Sequence, residues 1–306
     1  MIIQEPSFIE TSTLLPDHDG IGEVSLPLLG ASEDGNQFWA SGTAVVVAPW
    51  FAMTARHVVE DYVDRFGGTS IPSPDGASTI AANITPKFQL LTYLALQGGR
   101  GLISLRVGRM WFTQPMDIAF LELIPGSRES PKDHNWKCPV LDLSPPLIGT
   151  SISVMGYPNS HIVRKSDLEP SLWNMQPRTS TGSVLEIHQE RRDRVLLPFP
   201  SFRTNARFDG GMSGAPVFNS AGNVCGLVCS GMPPMNEEGE HVSYASLLWP
   251  AMGIPICLPW RYPDGRSYLA HEFAAAGMIR TIGLERLTII SNPEETRLLR
   301  RCGGDE

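Results

Sequence analysis

The chain runs to 306 residues, of which 42% are hydrophobic and 18% charged, so it has the apolar material for a sizeable core and too little charge to stay disordered. Its net charge of −8, with Lys and Arg scattered, excludes the clustered basic surface that nucleic-acid phosphates require. No stretch approaches the roughly 18 uninterrupted apolar residues of a membrane-crossing helix, so a soluble protein with no membrane partner is expected.

The opening residues, MIIQEPSFIETSTLLPDHDG, carry Glu5 and Glu10 where an export signal has a basic segment and then a long apolar one, so a cytoplasmic location is expected. Strand signals then recur: Gly42 to Pro49 (GTAVVVAP), Leu102 to Phe112, Asp117 to Ile124 (DIAFLELI), Ser151 to Tyr157, Ser183 to His188 and Asn223 to Ser230 (NVCGLVCS). These runs are short, rich in β-branched or aromatic residues, and mostly bounded by Gly, Pro, Asn or Asp. With 29 Gly and 26 Pro to supply turns, the pattern predicts a β-barrel or sandwich.

Gly67 to Pro86 and Pro158 to Thr181 read as long surface loops, and the polar, proline-rich run from Pro125 to Pro146 as a linker between two halves. The basic patch Arg191, Arg192 and Arg194, interrupted by Asp193, reads as a solvated turn. The main helical pattern is late, SYLAHEFAAAGMIR from Ser267 to Arg280, with Leu269, Phe273 and Met278 available for one packed face. Five cysteines (Cys138, Cys225, Cys229, Cys257, Cys302) lack both the spacing of a zinc site and the density of a disulfide framework, and read as reduced thiols. Cys225 and Cys229, four apart on one strand, are expected on one face of it, roughly 13 Å apart and too distant to bond.

Three residues stand out as chemistry. Ser213 lies among small residues in FDGGMSGAPVFN, just before an apolar run suited to a buried strand, and a serine hydroxyl needs a neighbouring base before it becomes a nucleophile. His57 follows a strand-like segment that ends at Thr54, where a short helical turn begins. Asp117 stands at the mouth of a buried strand, where a carboxylate is costly unless something donates to it.

Taken in order, Thr-Ala-x-His, Asp-Ile-Ala-x-Leu and Gly-x-Ser-Gly-x-Pro-Val resemble the motifs of the trypsin-like (chymotrypsin-fold) serine proteases, and the order His, Asp, Ser is theirs. The resemblance spans about Glu23 to Trp249 and is closest in style to HtrA-like and glutamyl endopeptidase members. It implies an all-β fold of two six-stranded antiparallel barrels with a C-terminal helical extension. The implied division is an N-terminal segment over 1–22, a first barrel over 23–130 carrying His57 and Asp117, a linker and second barrel over 131–249 carrying Ser213, and an extension over 250–306. It further implies His57 as general base, Asp117 as its orienting partner, and an oxyanion hole from the amides of Gly211 and Ser213, each worth about 3 kcal/mol of barrier. No metal or cofactor is needed for that chemistry.

The departures are informative. Met212 stands where secreted members carry an aspartate before the serine, so pairing with a freshly cut N-terminus is not expected. Cys229, Ser230 and Gly231 correspond to the wall of the substrate pocket and Asn205 to Asp209 to its base. Arg207, in place of an acid, disfavours cleavage after Lys or Arg and leaves either a small or apolar preference or, if it points inward, an acidic one. Past Trp249 the chain either wraps the second barrel, covers the cleft or receives a partner. The function this implies is an intracellular serine endopeptidase acting on a protein or peptide substrate, with a regulatory protein partner a further expectation. The alternative is a weakly active or non-catalytic module that binds peptides in the same cleft.

Overall fold

In a computed structural model the described residues are 8–10, 24–32, 38–66, 69–72, 79–83, 88–95, 102–126, 136–158, 160–163, 172–174, 177–232, 241–258, 266–291 and 296–300. Phe8–Glu10 forms β1. A first sheet then contains β2 (Ser25–Ser32), β3 (Phe38–Ala48), β4 (Phe51–Thr54), β5 (Thr69–Pro72), β6 (Thr79–Asn83), β7 (Phe88–Ala95), β8 (Leu102–Thr113) and β9 (Ala119–Pro125), with helix α1 (Arg56–Phe66) after β4. Its order runs β5-β6-β8-β7-β2-β3-β4-β9, and the further pairing of β8 with β9 closes six of these strands into an antiparallel barrel.

The second half begins with β10 (Leu141–Asp142), β11 (Ser151–Gly156), the hairpin β12 (His161–Val163) with β13 (Leu172–Asn174), and β14 (Arg178–His188). It continues with β15 (Ser201–Thr204), β16 (Pro216–Asn219), β17 (Val224–Met232) and β18 (Val242–Ser246). Pairing follows β16-β11-β14-β15-β18-β17, and β17 returns to β16. The fold is therefore mostly β and of the double-barrel, chymotrypsin-like type. β1 adds to β14 over Arg178 to Ser180.

The apolar runs of the first barrel do not alternate with polar residues because both faces of these strands are covered. Ala44, Val46, Ala52 and Leu121 point into the barrel, against Leu105 and Met110. Their neighbours Val45, Val47, Met53 and Phe120 point outward into a second cluster. That cluster is shared with Leu141 and Leu227 of the other half and with Ile254, Phe273, Ile279 and Leu287 beyond it. The C-terminal extension thus packs into a core common to both halves.

The extension itself differs from expectation. Beyond a 3-10 turn at Trp249–Gly253 it forms β19 (Pro255–Ile256), β20 (Tyr268–Leu269), a six-residue helix α2 (Ala270–Ala275), β21 (Thr281–Ile282), and the hairpin β22 (Leu287–Ser291) with β23 (Thr296–Arg300). The helix does not reach Arg280, because Gly277 adopts φ +73° and the chain ends in a Schellman turn: Met278 N–H donates to Phe273 O and Gly277 N–H to Ala274 O, both at 2.9 Å. β21 then pairs in parallel with β10, which pairs in parallel with β17. Two segments read as surface loops hold hairpins instead, β5 with β6 and β12 with β13. Helix α1 is longer than the short turn expected at His57.

Cys225 and Cys229 do not share a face. Each is the extra residue of a β-bulge in β17, the first opposite Val217 and Phe218 and the second opposite Tyr244 and Ala245. Cys225 packs inside the barrel with Val154 and Phe202, while Cys229 packs with Leu197, Phe199 and Tyr244. Among the described residues no helix is long and apolar enough to cross a membrane.

Candidate active site

Register within the first barrel brings His57 to Asp117. Thr54, the last residue of β4, lies opposite Ala119, the first of β9; His57 follows Thr54 by three positions and Asp117 precedes Ala119 by two. Asp117 is buried, and its carboxylate lies 2.9 and 3.0 Å from His57 Nδ1. One carboxylate oxygen also accepts the His57 backbone N–H at 3.0 Å. That amide is in the first turn of α1, where N–H groups have no partner within the helix, so the acid also caps the helix. Because a carboxylate only accepts, Nδ1 carries the ring proton and Nε2 is left with a lone pair. Arg56 fixes the same corner, donating from Nε to Met116 O and from a terminal nitrogen to Glu60, each at 2.7 Å.

The charge state of His57 is set by opposing effects. Burial works against the imidazolium, but the hydrogen bond and negative charge of Asp117, with a smaller contribution from the charge of Asp61, outweigh burial and the repulsion of Arg56, and the net pKa lies above the ordinary 6.5. The ring is nevertheless open to solvent on one side, with 45% of its side-chain surface exposed.

Ser213 sits on a turn built by two glycines, Gly211 at φ +94° and Gly214 at φ +82°. The turn is folded on itself through Met212 N–H to Asp209 O and Ala215 N–H to Met212 O, and is fastened to β17 by Gly214 N–H to Val228 O. The amides of Gly211 and Ser213 donate to no protein group among the described residues, which leaves the two expected oxyanion donors available. Met212 is fully buried beside Gly156, an apolar anchor where no carboxylate exists to receive an N-terminus.

The turn is seated on the first barrel. Thr43 N–H donates to Ser213 O at 2.8 Å, and Thr43 Oγ1 donates to Gly211 O at 2.9 Å while accepting the Tyr157 N–H at 3.2 Å. A methyl group built on Gly214 would strike Thr43 O and Thr54 Oγ1 and lie 2.7 Å from Ala55 N. Ser213 is therefore carried against the residues that lead into His57. The two side chains share no hydrogen bond in this structure. Sequence reasoning missed as seats of the turn Thr43, Thr54 and also Gly42, where a methyl group would lie 2.8 Å from Ser213 O. Their signal was two threonines buried in apolar strands, whose hydroxyls must find partners.

The pocket residues divide. Arg207 is exposed, with Nε held 2.9 and 3.0 Å from the two carboxylate oxygens of Asp209. Cys229 is buried and its thiol donates to Tyr244 O at 3.2 Å; burial, then the charge of Asp117, push its pKa well above the ordinary value. Ser230 is half-buried and Gly231 exposed. Among the described residues no three His, Cys, Asp or Glu side chains gather as a metal cage.

A family model described as a trypsin-like peptidase domain matches residues 42–227. Among solved structures, the active form of the Rv3671c protease from M. tuberculosis matches at 14% identity and TM-score 0.43, covering 88% of this chain and 87% of that one. An inactive form of Rv3671c protease matches at 15% identity and TM-score 0.42, over 75% and 85% of the two chains. No curated protein matches the chain by sequence.

Proposed function

The chain belongs to the trypsin-like peptidase family, and from that premise we propose that it is a serine endopeptidase working through Ser213, His57 and Asp117. The observation that carries the proposal is the clamp on His57, whose ring nitrogen and backbone amide are both held by the buried Asp117. Nε2 takes the Ser213 proton as Oγ bonds to the substrate carbonyl carbon, and the amides of Gly211 and Ser213 meet the oxygen that becomes negative. His57 then gives that proton to the departing amine as the C–N bond breaks, leaving an ester on Ser213. Water, activated by the same nitrogen, hydrolyses the ester and restores the hydroxyl.

The partner in this reading is a peptide or protein substrate, and the four free cysteines among the described residues suit a reducing compartment. A fluorophosphonate probe tests the chemistry. Labelling of the wild type and none of Ser213→Ala is expected, and equal labelling of both removes Ser213 as the nucleophile. Recovery of the native protein from the culture medium in place of the cell lysate would overturn the compartment.

A further inference from the structure

The substrate residue whose carbonyl Ser213 attacks must lodge its side chain beside the Ser213 turn. By the resemblance to the trypsin-like family, two backbone segments of the second half of the chain border that space. One is 205–208, which leads into the turn; the other is 229–231, which continues from the Val228 carbonyl that accepts the Gly214 amide at 2.8 Å.

These segments touch. A methyl group built on Gly231 would strike the Phe208 carbonyl and lie 2.9 Å from Phe208 Cβ. The other side of the segment is equally tight: a methyl on Gly182 of β14 would strike the Ala206 amide and lie 2.7 Å from Asn205 Oδ1. The segment is also tied down, since Asn205 Oδ1 accepts the Ser183 amide at 2.7 Å and Thr204 Oγ1 donates to Ser183 O at 2.8 Å. Phe208 is 4% exposed, its ring built into the barrel core with Met212 and Val184. Arg207, the cation of the segment, turns outward to Asp209.

We infer that the peptidase proposed above cleaves after glycine or alanine, because the segment ending at Phe208 occupies the slot that a larger side chain would need. The inference rests on that proposal. Leucine, phenylalanine, lysine or glutamate at this position would have to displace backbone wedged between two glycines and pinned by hydrogen bonds, which packed interiors resist. Phe208 fills the slot with its carbonyl and Cβ, and its ring, buried in the barrel core, anchors them there.

The experiment uses the full chain and peptides that differ only in the residue before the cut: Gly, Ala, Val, Leu, Phe, Lys and Glu. Wild-type kcat/KM is expected to favour Gly and Ala over the four largest by about 10-fold or more, the scale on which pocket size discriminates. Phe208→Ala keeps the carbonyl and Cβ but empties the core space that anchors them, and Asn205→Ala removes the acceptor that pins the Ser183 amide; each is expected to let the segment recede from Gly231 and raise the Val and Leu peptides relative to Ala. A wild type that prefers Leu, Phe, Lys or Glu overturns the inference, as does an unchanged profile in both Phe208→Ala and Asn205→Ala. Fluorophosphonate labelling of Ser213 separates the two ideas. Labelling without cleavage after Gly or Ala sinks the specificity alone, whereas no labelling sinks the enzymatic reading and the specificity with it.

Discussion

The amide of Thr43 donates to the carbonyl of Ser213 across 2.8 Å, joining β3 of one barrel to the Ser213 turn of the other. The Thr43 hydroxyl completes the joint by donating to Gly211 O and accepting from Tyr157 N–H. Thr43→Val keeps the shape and removes both contacts of the hydroxyl. A buried group left without its partner costs about 1–3 kcal/mol. We expect kcat to fall by roughly 10-fold or more with KM little changed, since a misaimed oxyanion donor acts in the transition state. An unaltered kcat alongside a lowered melting temperature would make Thr43 a structural residue only.

Ser213→Ala, His57→Ala and Asp117→Asn are each expected to lower kcat by about four orders of magnitude, and the double variants to lose little more, because in the proposed mechanism the three act as one proton path. Ser213→Ala should melt at the wild-type temperature, as its side chain holds no hydrogen bond among the described residues. Turnover within 10-fold of wild type for any one variant would remove that residue from the path.

The pH dependence follows from the raised pKa of His57. General-base work needs the neutral ring, so activity should rise with pH along a limb centred above 6.5, not at it. Asp117→Asn removes the charge that raises the pKa, and the residual activity should have its limb at lower pH. Stability runs the other way. A raised folded-state pKa gives a contribution that is complete below the unfolded value of about 6.5 and is lost as pH rises through the folded one. A wild-type limb below 6.5 in kcat/KM would show that Asp117 does not dominate the ring.

Phe273 of the extension is 3% exposed in the core shared by both halves. Phe273→Ala should cost about 3–5 kcal/mol, as for aromatic deletions inside a domain. Denaturant unfolding followed by fluorescence checks it; a change below about 1 kcal/mol would show the extension to be loosely attached.

The motifs made the barrels and three candidate site residues legible because each is local: an apolar run, an acid at its mouth, a serine among glycines. What stayed hidden depended on distant partners. The strands at Thr69–Pro72 and His161–Val163 carry no alternation strong enough to outweigh their turn residues, and it is pairing with neighbours that makes them strands. The bulges at Cys225 and Cys229 reverse a two-residue period with no mark in composition. The late helix read too long because Leu269, Phe273 and Met278 fit one helical face across Gly277, and only the positive φ of that glycine stops it. Arg207 was open to two orientations, and its pairing with Asp209, two residues on, turns it outward.

The parallel pairing of Leu141 with Thr281 has a consequence for the birth of the protein. Synthesis proceeds from the N-terminus, and β21 leaves the ribosome only after every residue of the site has done so. Until then β10 has one neighbour instead of two, and the outward-facing cluster that holds Phe120, three residues after Asp117, lacks its members Phe273 and Ile279. Long-range closure of this kind is slow compared with hairpin formation. A ribosome stalled within the extension therefore carries His57, Asp117 and Ser213 on a chain whose shared core is still open, and the peptidase proposed above would gain its competence to cut only with the strands of the extension.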